Sequence, residues 1–92
     1  MAQEVPEILV ERGQQWGDPV DTHSRIAEVW SGILGTEVAT TDVALMMAGL
    51  KLVRAAVNPD EKDSFDDGIG YLRIGAMIEG HDPDGLAKLR GE

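Results

Sequence analysis

Apolar side chains recur along most of this chain at intervals of three and four residues, which is the spacing of one face of an α-helix. No segment shows the convincing alternation of apolar and polar residues that predicts a half-buried strand. The spacing predicts five helices. They cover residues 6–12, 21 or 22 to 34, 42–57, 60–79 and 84–90. The sequence therefore predicts an all-α fold, a compact bundle of four to five helices in one domain over 1–92.

The helix boundaries are predicted from residues that favour caps and turns. We expect helix starts at Asp21 or Thr22, at Thr40 or Thr41, at Asn58 with Pro59 in the first helical position, and at Asp82-Pro83. We expect helix ends at Gly13, Gly35 and Gly80. The helix that starts near residue 21 carries one apolar stripe, formed by Ile26, Val29, Trp30 and Ile33.

The 42–57 segment is apolar almost all round, which is typical of a helix buried on several sides. We therefore place it at the centre of the bundle, antiparallel to the 60–79 helix. A stripe of small side chains along it, shared with Lys51, lets another helix come close: Ala44, Ala48 and Ala55.

Three glycines lie inside the 60–79 helix: Gly68, Gly70 and Gly75. Each lowers the stability of the helix by about 1 kcal/mol relative to alanine at an interior position. Close helix packing or a dimer interface explains them, and the alternative is a backbone that a ligand can approach.

The chain carries 17 acidic and 8 basic residues, a net charge of −9. That balance disfavours duplex DNA and anionic membranes as partners, since nonspecific nucleic-acid affinity comes from phosphate neutralisation. The N-terminal residues lack the positive flank and apolar run of a signal peptide, and no apolar run reaches the roughly 20 residues of a membrane span. With no cysteine, the sequence predicts a cytoplasmic protein. Because a chain of 92 residues has a thin core, we expect a homodimer or homotetramer built on the 42–57 and 60–79 helices.

An acidic group opens the 60–79 helix. Asp63 lies three residues before Asp66 and four before Asp67, so the three share one side of a helix. Carboxylates at that spacing can hold magnesium, which prefers oxygen ligands. The alternative is a solvated acidic first turn, stabilised by the helix dipole.

Two basic residues interrupt the apolar 42–57 helix, and charges on such a helix need partners. We expect Lys51 or Arg54 to pair with Asp67 or Asp63 on the neighbouring helix. The functional alternative is a phosphate clamp, since arginine offers two parallel donors.

The Trp16-Gly17-Asp18-Pro19 segment has the composition of a tight turn. In that interpretation Trp16 covers the core and Asp18 caps the next helix. In the alternative, Trp16 stacks on a nucleobase, and Asp18 or His23 forms hydrogen bonds with it. A lone His23 does not make a metal site.

Three blocks of the chain carry a resemblance to a known family. They are WGDPVDTHSRIAEVWSGILG, DVALMMAGLKLVRAA and NPDEKDSFDDGIGYL. In that order they resemble a family of small proteins of unknown function from tailed phages and prophages, over residues from about 7 to 76. The resemblance implies a phage-encoded protein of the host-cell cytoplasm.

The order of the helices and their charged residues is also similar, more loosely, to that of the all-α nucleoside triphosphate pyrophosphatases of the MazG type. Those proteins hold magnesium with paired glutamates on one helix and a Glu-x-x-Asp pair on the next. Asp63 with Asp66 or Asp67 matches the second pair, whereas Lys51 and Arg54 stand where the first pair is needed. A second pattern resembles phage nucleotide-modification-associated domains, and the residues that fit it are Lys51, Arg54, Ser64, Asp67 and Tyr71.

The sequence leaves three hypotheses. The first is a MazG-like helical protein that binds a nucleotide or related phosphorylated metabolite, with degenerate or no hydrolase activity. The residues that motivate it are Lys51, Arg54, Asp63, Asp67 and Tyr71. The second is a non-enzymatic phage protein, an oligomer whose acidic surface contacts a host or phage protein. The third is a magnesium-dependent nucleoside triphosphate pyrophosphohydrolase. The sequence establishes no cofactor, and magnesium is the one that this third hypothesis requires.

Overall fold

The computed structural model describes residues 17–92, and these residues form four helices. The helices are α1 Pro19–Leu34, α2 Thr40–Val57, α3 Lys62–Ile78 and α4 Pro83–Leu89. No strand occurs within the described residues, and the prediction of an all-α bundle is confirmed. The helix predicted over 6–12 lies outside the described part of the chain.

Helix α1 begins at a side-chain cap. The Asp18 carboxylate accepts a hydrogen bond from the Val20 amide (2.9 Å), and proline follows the cap. The helix thus starts before the predicted caps, Asp21 and Thr22, because Asp18 and Pro19 already supply the cap and first turn. Gly35 ends α1 as predicted, in the left-handed conformation with φ 69°.

Helix α2 does not use a threonine cap. It begins at Thr40, and the Asp42 carboxylate accepts a hydrogen bond from the Ala39 amide (3.0 Å). The helix ends at Val57 as predicted.

A turn over residues 58–61 follows α2, closed by a hydrogen bond from the Glu61 amide to the Asn58 carbonyl (3.1 Å). Helix α3 therefore begins at Lys62, and the expected start at Asn58, with Pro59 in the first helical position, is wrong. Pro59 lies in the turn itself.

Helix α4 is attached to α3 through its cap. The Asp82 carboxylate accepts hydrogen bonds from the Gly85 amide (3.1 Å) and from Arg73 Nε on α3 (3.0 Å). The chain reverses between α3 and α4 at Gly80, whose φ of 82° favours glycine. The predicted stop at Gly80 and the predicted cap at Asp82 are both confirmed.

Helices α2 and α3 pack antiparallel through small residues. A Cβ placed on Gly75 would lie 3.6 Å from the Cβ of Ala44, and one placed on Gly68 would lie 3.5 Å from the Cβ of Lys51. The two contacts are seven residues apart on each helix, so the helices stay in step over about two turns. The interpretation of the interior glycines as sites of close helix packing is confirmed at Gly68 and Gly75.

The core of the described residues is small, and its central cluster is Ala44, Ile74, Met77 and Leu89. The prediction that α2 is buried on several sides is wrong for the single chain. Helix α2 buries one side against α1 and α3 and exposes six large apolar side chains: Leu45, Met46, Leu50, Leu52, Val53 and Val57. An apolar helix needs a covering layer all round, and α1 and α3 provide one on part of its surface.

Helix α1 shows the same division between small buried and large exposed side chains. Its buried residues are Pro19, His23 and Ala27. Ile26 and Trp30 of the predicted apolar stripe are half-buried, whereas Val29 and Ile33 are exposed. Pro19 and Ala27 are small and let α1 approach its neighbours, and His23 is the one larger side chain among its buried residues.

Candidate functional site

Polar side chains from three helices meet where α1, α2 and α3 adjoin. Helix α1 contributes His23, α2 contributes Lys51, and α3 contributes Asp67 and Tyr71. We call these four residues the junction cluster. Asp67 and Tyr71 are four residues apart and share one face of α3, which places the Lys51–Asp67 and His23–Tyr71 contacts on successive turns.

Lys51 and Asp67 form a salt bridge across the α2–α3 contact. The distance from Lys51 Nζ to Asp67 Oδ2 is 3.0 Å, and the side chains are 15% and 12% exposed. Because Gly68 has no side chain, the Lys51 stem can pass close to α3. The prediction that Lys51 or Arg54 pairs with Asp67 is confirmed, with Lys51 as the partner.

Arg54 lies on the turn of α2 that follows Lys51, and its side chain is exposed. It forms no ion pair with another residue of the described chain. Arg54 therefore offers a guanidinium group to solvent beside the junction cluster.

His23 is buried and only one of its ring nitrogens is hydrogen-bonded. Nδ1 lies 2.8 Å from the Pro19 carbonyl oxygen, and because a carbonyl only accepts, Nδ1 carries the proton. Nε2 is then an acceptor, and it is buried without a hydrogen-bond partner in the described structure. Burial lowers the pKa of His23, and the hydrogen bond to Pro19 opposes that shift without cancelling it. The junction cluster thus contains a neutral imidazole with an unused acceptor.

The His23 ring lies beside Tyr71, with ring centroids 6.2 Å apart and planes inclined by 59°. The sequence singles out both residues but does not predict their contact. A signal for burial is present, since Pro19, His23 and Ala27 are spaced by four and form one stripe of α1. The contact itself depends on how α1 crosses α3, which spacing does not determine.

The three candidate magnesium ligands are not gathered into one site. Asp66 binds Lys62 at 2.6 Å, which raises the pKa of Lys62, while Asp67 faces Lys51. Asp63 is exposed. Over residues 17–92 no group of three or more acidic or histidine side chains is placed to hold a metal ion. Two of the three carboxylates thus turn toward different lysines.

Asp18 has a structural role. One carboxylate oxygen caps α1, and the other accepts a hydrogen bond from Arg90 Nε at 2.6 Å, which holds the C-terminal end of α4 against the start of α1. The cap interpretation of Asp18 is confirmed. Trp16, its proposed partner in a nucleobase site, lies outside the described residues.

Comparison with known proteins finds phage relatives. The Gene 55 protein of Mycobacterium phage L5 is 39% identical over 65 residues, which cover 70% of this chain and 42% of the relative. The Gene 55 protein of Mycobacterium phage D29 is 36% identical over 61 residues, which cover 66% of this chain and 40% of the relative. The chain thus spans about two fifths of the length of these relatives. No solved structure matches the chain.

These matches confirm the resemblance to a phage protein family, and they do not show the similarity to the MazG type. None of the helices in residues 17–92 is both long and apolar enough to cross a membrane. The family model described as "Domain of unknown function (DUF6378)" matches residues 2–79. Since that match covers most of the sequence, the chain belongs to this family.

Proposed function

We propose that this chain is a phage protein that binds a nucleotide, or a related phosphorylated metabolite, at the junction cluster. The observation that carries the proposal is the buried Nε2 atom of His23, which has no partner in the described structure. Buried polar atoms in native proteins are nearly always hydrogen-bonded, and an unpaired one costs about 1–3 kcal/mol. A ligand group that donates to Nε2 removes that cost, and the amino group of a nucleobase is such a donor.

The surroundings of His23 suit the rest of a nucleotide. Tyr71 provides an aromatic ring on which a base can stack. The register of α2 and α3 places Tyr71 level with Ala48, so Lys51 and Arg54 follow three and six residues later along α2. At a rise of about 1.5 Å per residue, the two cations lie roughly 5 and 9 Å further along the helix axis. The phosphate group would meet Arg54, whose planar fork of donors matches phosphate oxygens.

We do not extend the proposal to magnesium-dependent hydrolysis. In residues 17–92, Asp63, Asp66 and Asp67 are separated by their different contacts. Lys51 and Arg54 add positive charge on the facing helix, which disfavours a bound cation. The proposed activity is therefore binding, with degenerate or no hydrolase activity.

The proposal is tested by isothermal titration of the chain with the common ribonucleotides and deoxyribonucleotides as mono-, di- and triphosphates. At least one should bind, and Arg54→Ala should weaken it by about ten- to a hundredfold, the loss expected for one charge-assisted hydrogen bond. Arg54 is exposed, so its truncation should leave the fold intact. His23→Leu should reduce any preference for amino-bearing bases over thymine or uracil.

Arg25→Ala is the matched control, because Arg25 is an exposed arginine of α1 that pairs with Asp21, outside the junction cluster. Nucleotide affinity should not change in this variant. The proposal fails if no nucleotide binds at millimolar concentration, or if Arg25→Ala and Arg54→Ala weaken binding equally.

A second candidate function is a non-enzymatic phage protein that contacts a host or phage protein. It is favoured by the exposed carboxylates that precede and open α3, Asp60, Glu61 and Asp63, on a chain of net charge −9. The tagged chain should then capture a basic protein from host lysate. A variant with these three residues changed to their amides should lose that capture, and equal capture by both chains would count against this function.

A further inference from the structure

Large apolar side chains of α2 and α3 form a continuous exposed surface. Five residues compose it, each between 49% and 66% exposed, and we call them the outer face: Leu45, Leu52, Phe65, Ile69 and Leu72. Every one of them is aliphatic or aromatic.

Helix geometry shows that α2 and α3 contribute to the same side of their pair. Val43 on α2 and Ile74 on α3 are buried and mark the side that the other helices cover. A step of two residues rotates a side chain by about 200°. Leu45, two residues after Val43, and Leu72, two residues before Ile74, therefore both point to the opposite, uncovered side.

The exposed apolar residues continue along this uncovered side of α2 and α3 for two turns. Leu52 follows Leu45 by seven residues, and Phe65 precedes Leu72 by seven, so each lies about two turns further along its own helix. Because α2 and α3 are antiparallel, these steps run in the same direction in space. The outer face thus extends along both helices and is not a set of isolated residues.

The apolar area of the outer face matches the largest apolar patches that monomers expose, which are often functional. A large apolar side chain presents on the order of 100–200 Å² when fully solvated, so five that are about half exposed present roughly 300–500 Å². The largest apolar patch on a typical monomer is about 300–600 Å². A stable protein interface buries about 800 Å² on each partner, of which about 65% is apolar in homodimers.

Charge limits where two copies of this chain can meet. The chain carries a net charge of −9, so two copies repel each other over most of their surface. The outer face lacks charge, and an uncharged apolar surface is complementary to itself, as a twofold interface requires. The exposed Lys62–Asp66 ion pair lies at the start of α3, where it would form part of a polar rim.

We infer that the outer face is the interface between two copies of this chain. The two α2–α3 pairs would pack against each other about a twofold axis and form a four-helix core. The inference is independent of nucleotide binding, because Lys51 and Asp67 lie at the contact within one chain.

Sedimentation velocity of the full chain between 1 and 300 µM tests the inference. The expected species has about twice the chain mass of 9.9 kDa. Leu52→Glu should weaken the association at least a hundredfold. Ile33→Glu, which places the same charge on a similarly exposed apolar residue of α1, should still dimerise. A wild-type monomer at 300 µM, or unchanged association in Leu52→Glu, overturns the inference.

A second experiment does not depend on how Leu52→Glu folds. The chain has no cysteine, so a single Leu52→Cys variant carries one thiol. With an added oxidant it should form a disulfide-linked dimer, whereas Ile33→Cys should not. If Ile33→Cys crosslinks and Leu52→Cys does not, the interface lies on α1. If the chain is monomeric alone but Leu52→Glu abolishes capture of a host protein, the outer face binds that protein and not a second copy.

Discussion

At the scale of single residues, His23 makes stability depend on pH. Burial lowers its pKa in the folded chain below the value of about 6.5 expected when it is unfolded. The unfolded chain therefore binds more protons just below that pH, so the stability contributed by neutral His23 is complete above pH 6.5 and is lost as pH falls through the folded pKa.

Urea unfolding of the wild type should accordingly show a fall in the free energy of unfolding from pH 7.5 to 5. The fall should be smaller in His23→Gln. His81→Gln serves as the control, because His81 is exposed in the turn before α4, and it should follow the wild type. A His23→Gln variant with unchanged pH dependence would show that the imidazole titrates alike in both states.

The Lys51–Asp67 salt bridge should contribute more than the exposed ion pair of α1. Its side chains are mostly buried, whereas those of Arg25 and Asp21 are 79% and 62% exposed. A double-mutant cycle with Lys51→Met and Asp67→Asn should give a coupling energy of about 1–2 kcal/mol. The same cycle on Arg25 and Asp21 should give less than about 0.5 kcal/mol. Equal values would mean that solvent reaches both pairs alike.

At the scale of elements, the α2–α3 contact should tolerate one added methyl group. A Cβ on Gly68 would meet Lys51 at 3.5 Å, an ordinary van der Waals distance. Gly68→Ala should therefore raise the free energy of unfolding by about 0.5–1 kcal/mol through helix propensity. Gly85→Ala is the contrasting variant, since its Cβ would collide with the Asp82 carboxylate, and it should destabilise the chain. Thermal unfolding of both variants and the wild type measures the two effects. Destabilisation by Gly68→Ala would show that the helices approach more closely.

The ends of the helices show what local sequence can and cannot specify. Gly35 and Gly80 end helices as predicted, because positive φ is a property of one residue and its neighbours. The backbone angle that Pro59 prefers suits a turn as well as the first position of a helix. The structure has the turn, which is closed by the hydrogen bond from the Glu61 amide to the Asn58 carbonyl. In the site, the spacing of charges on two antiparallel helices predicts the Lys51–Asp67 pair. The His23–Tyr71 contact requires the crossing of α1 over α3 and could not be predicted.

At the scale of the whole molecule, the exposed apolar side chains of α2 change the reason for expecting self-association. The sequence suggests association through small-residue stripes, but Ala44, Gly68 and Gly75 are used within the chain, between α2 and α3. The outer face, in contrast, is left uncovered by the described part of the chain. A pattern of apolar residues predicts that a surface is covered, and it does not indicate whether the covering helix belongs to the same chain.

The net charge then predicts how association depends on salt. Two chains that each carry −9 repel at long range, and the outer face contributes no attractive ion pair to offset that repulsion. Raising the salt concentration from 10 to 150 mM shortens the screening length from about 30 to 8 Å. The dimer dissociation constant, measured by sedimentation at both salt concentrations, should therefore fall at least about threefold. Ile33→Glu should show a larger salt effect, since it adds one negative charge to each copy. Association that weakens with salt would instead indicate an interface held by opposite charges, and it would place the dimer contact away from the outer face.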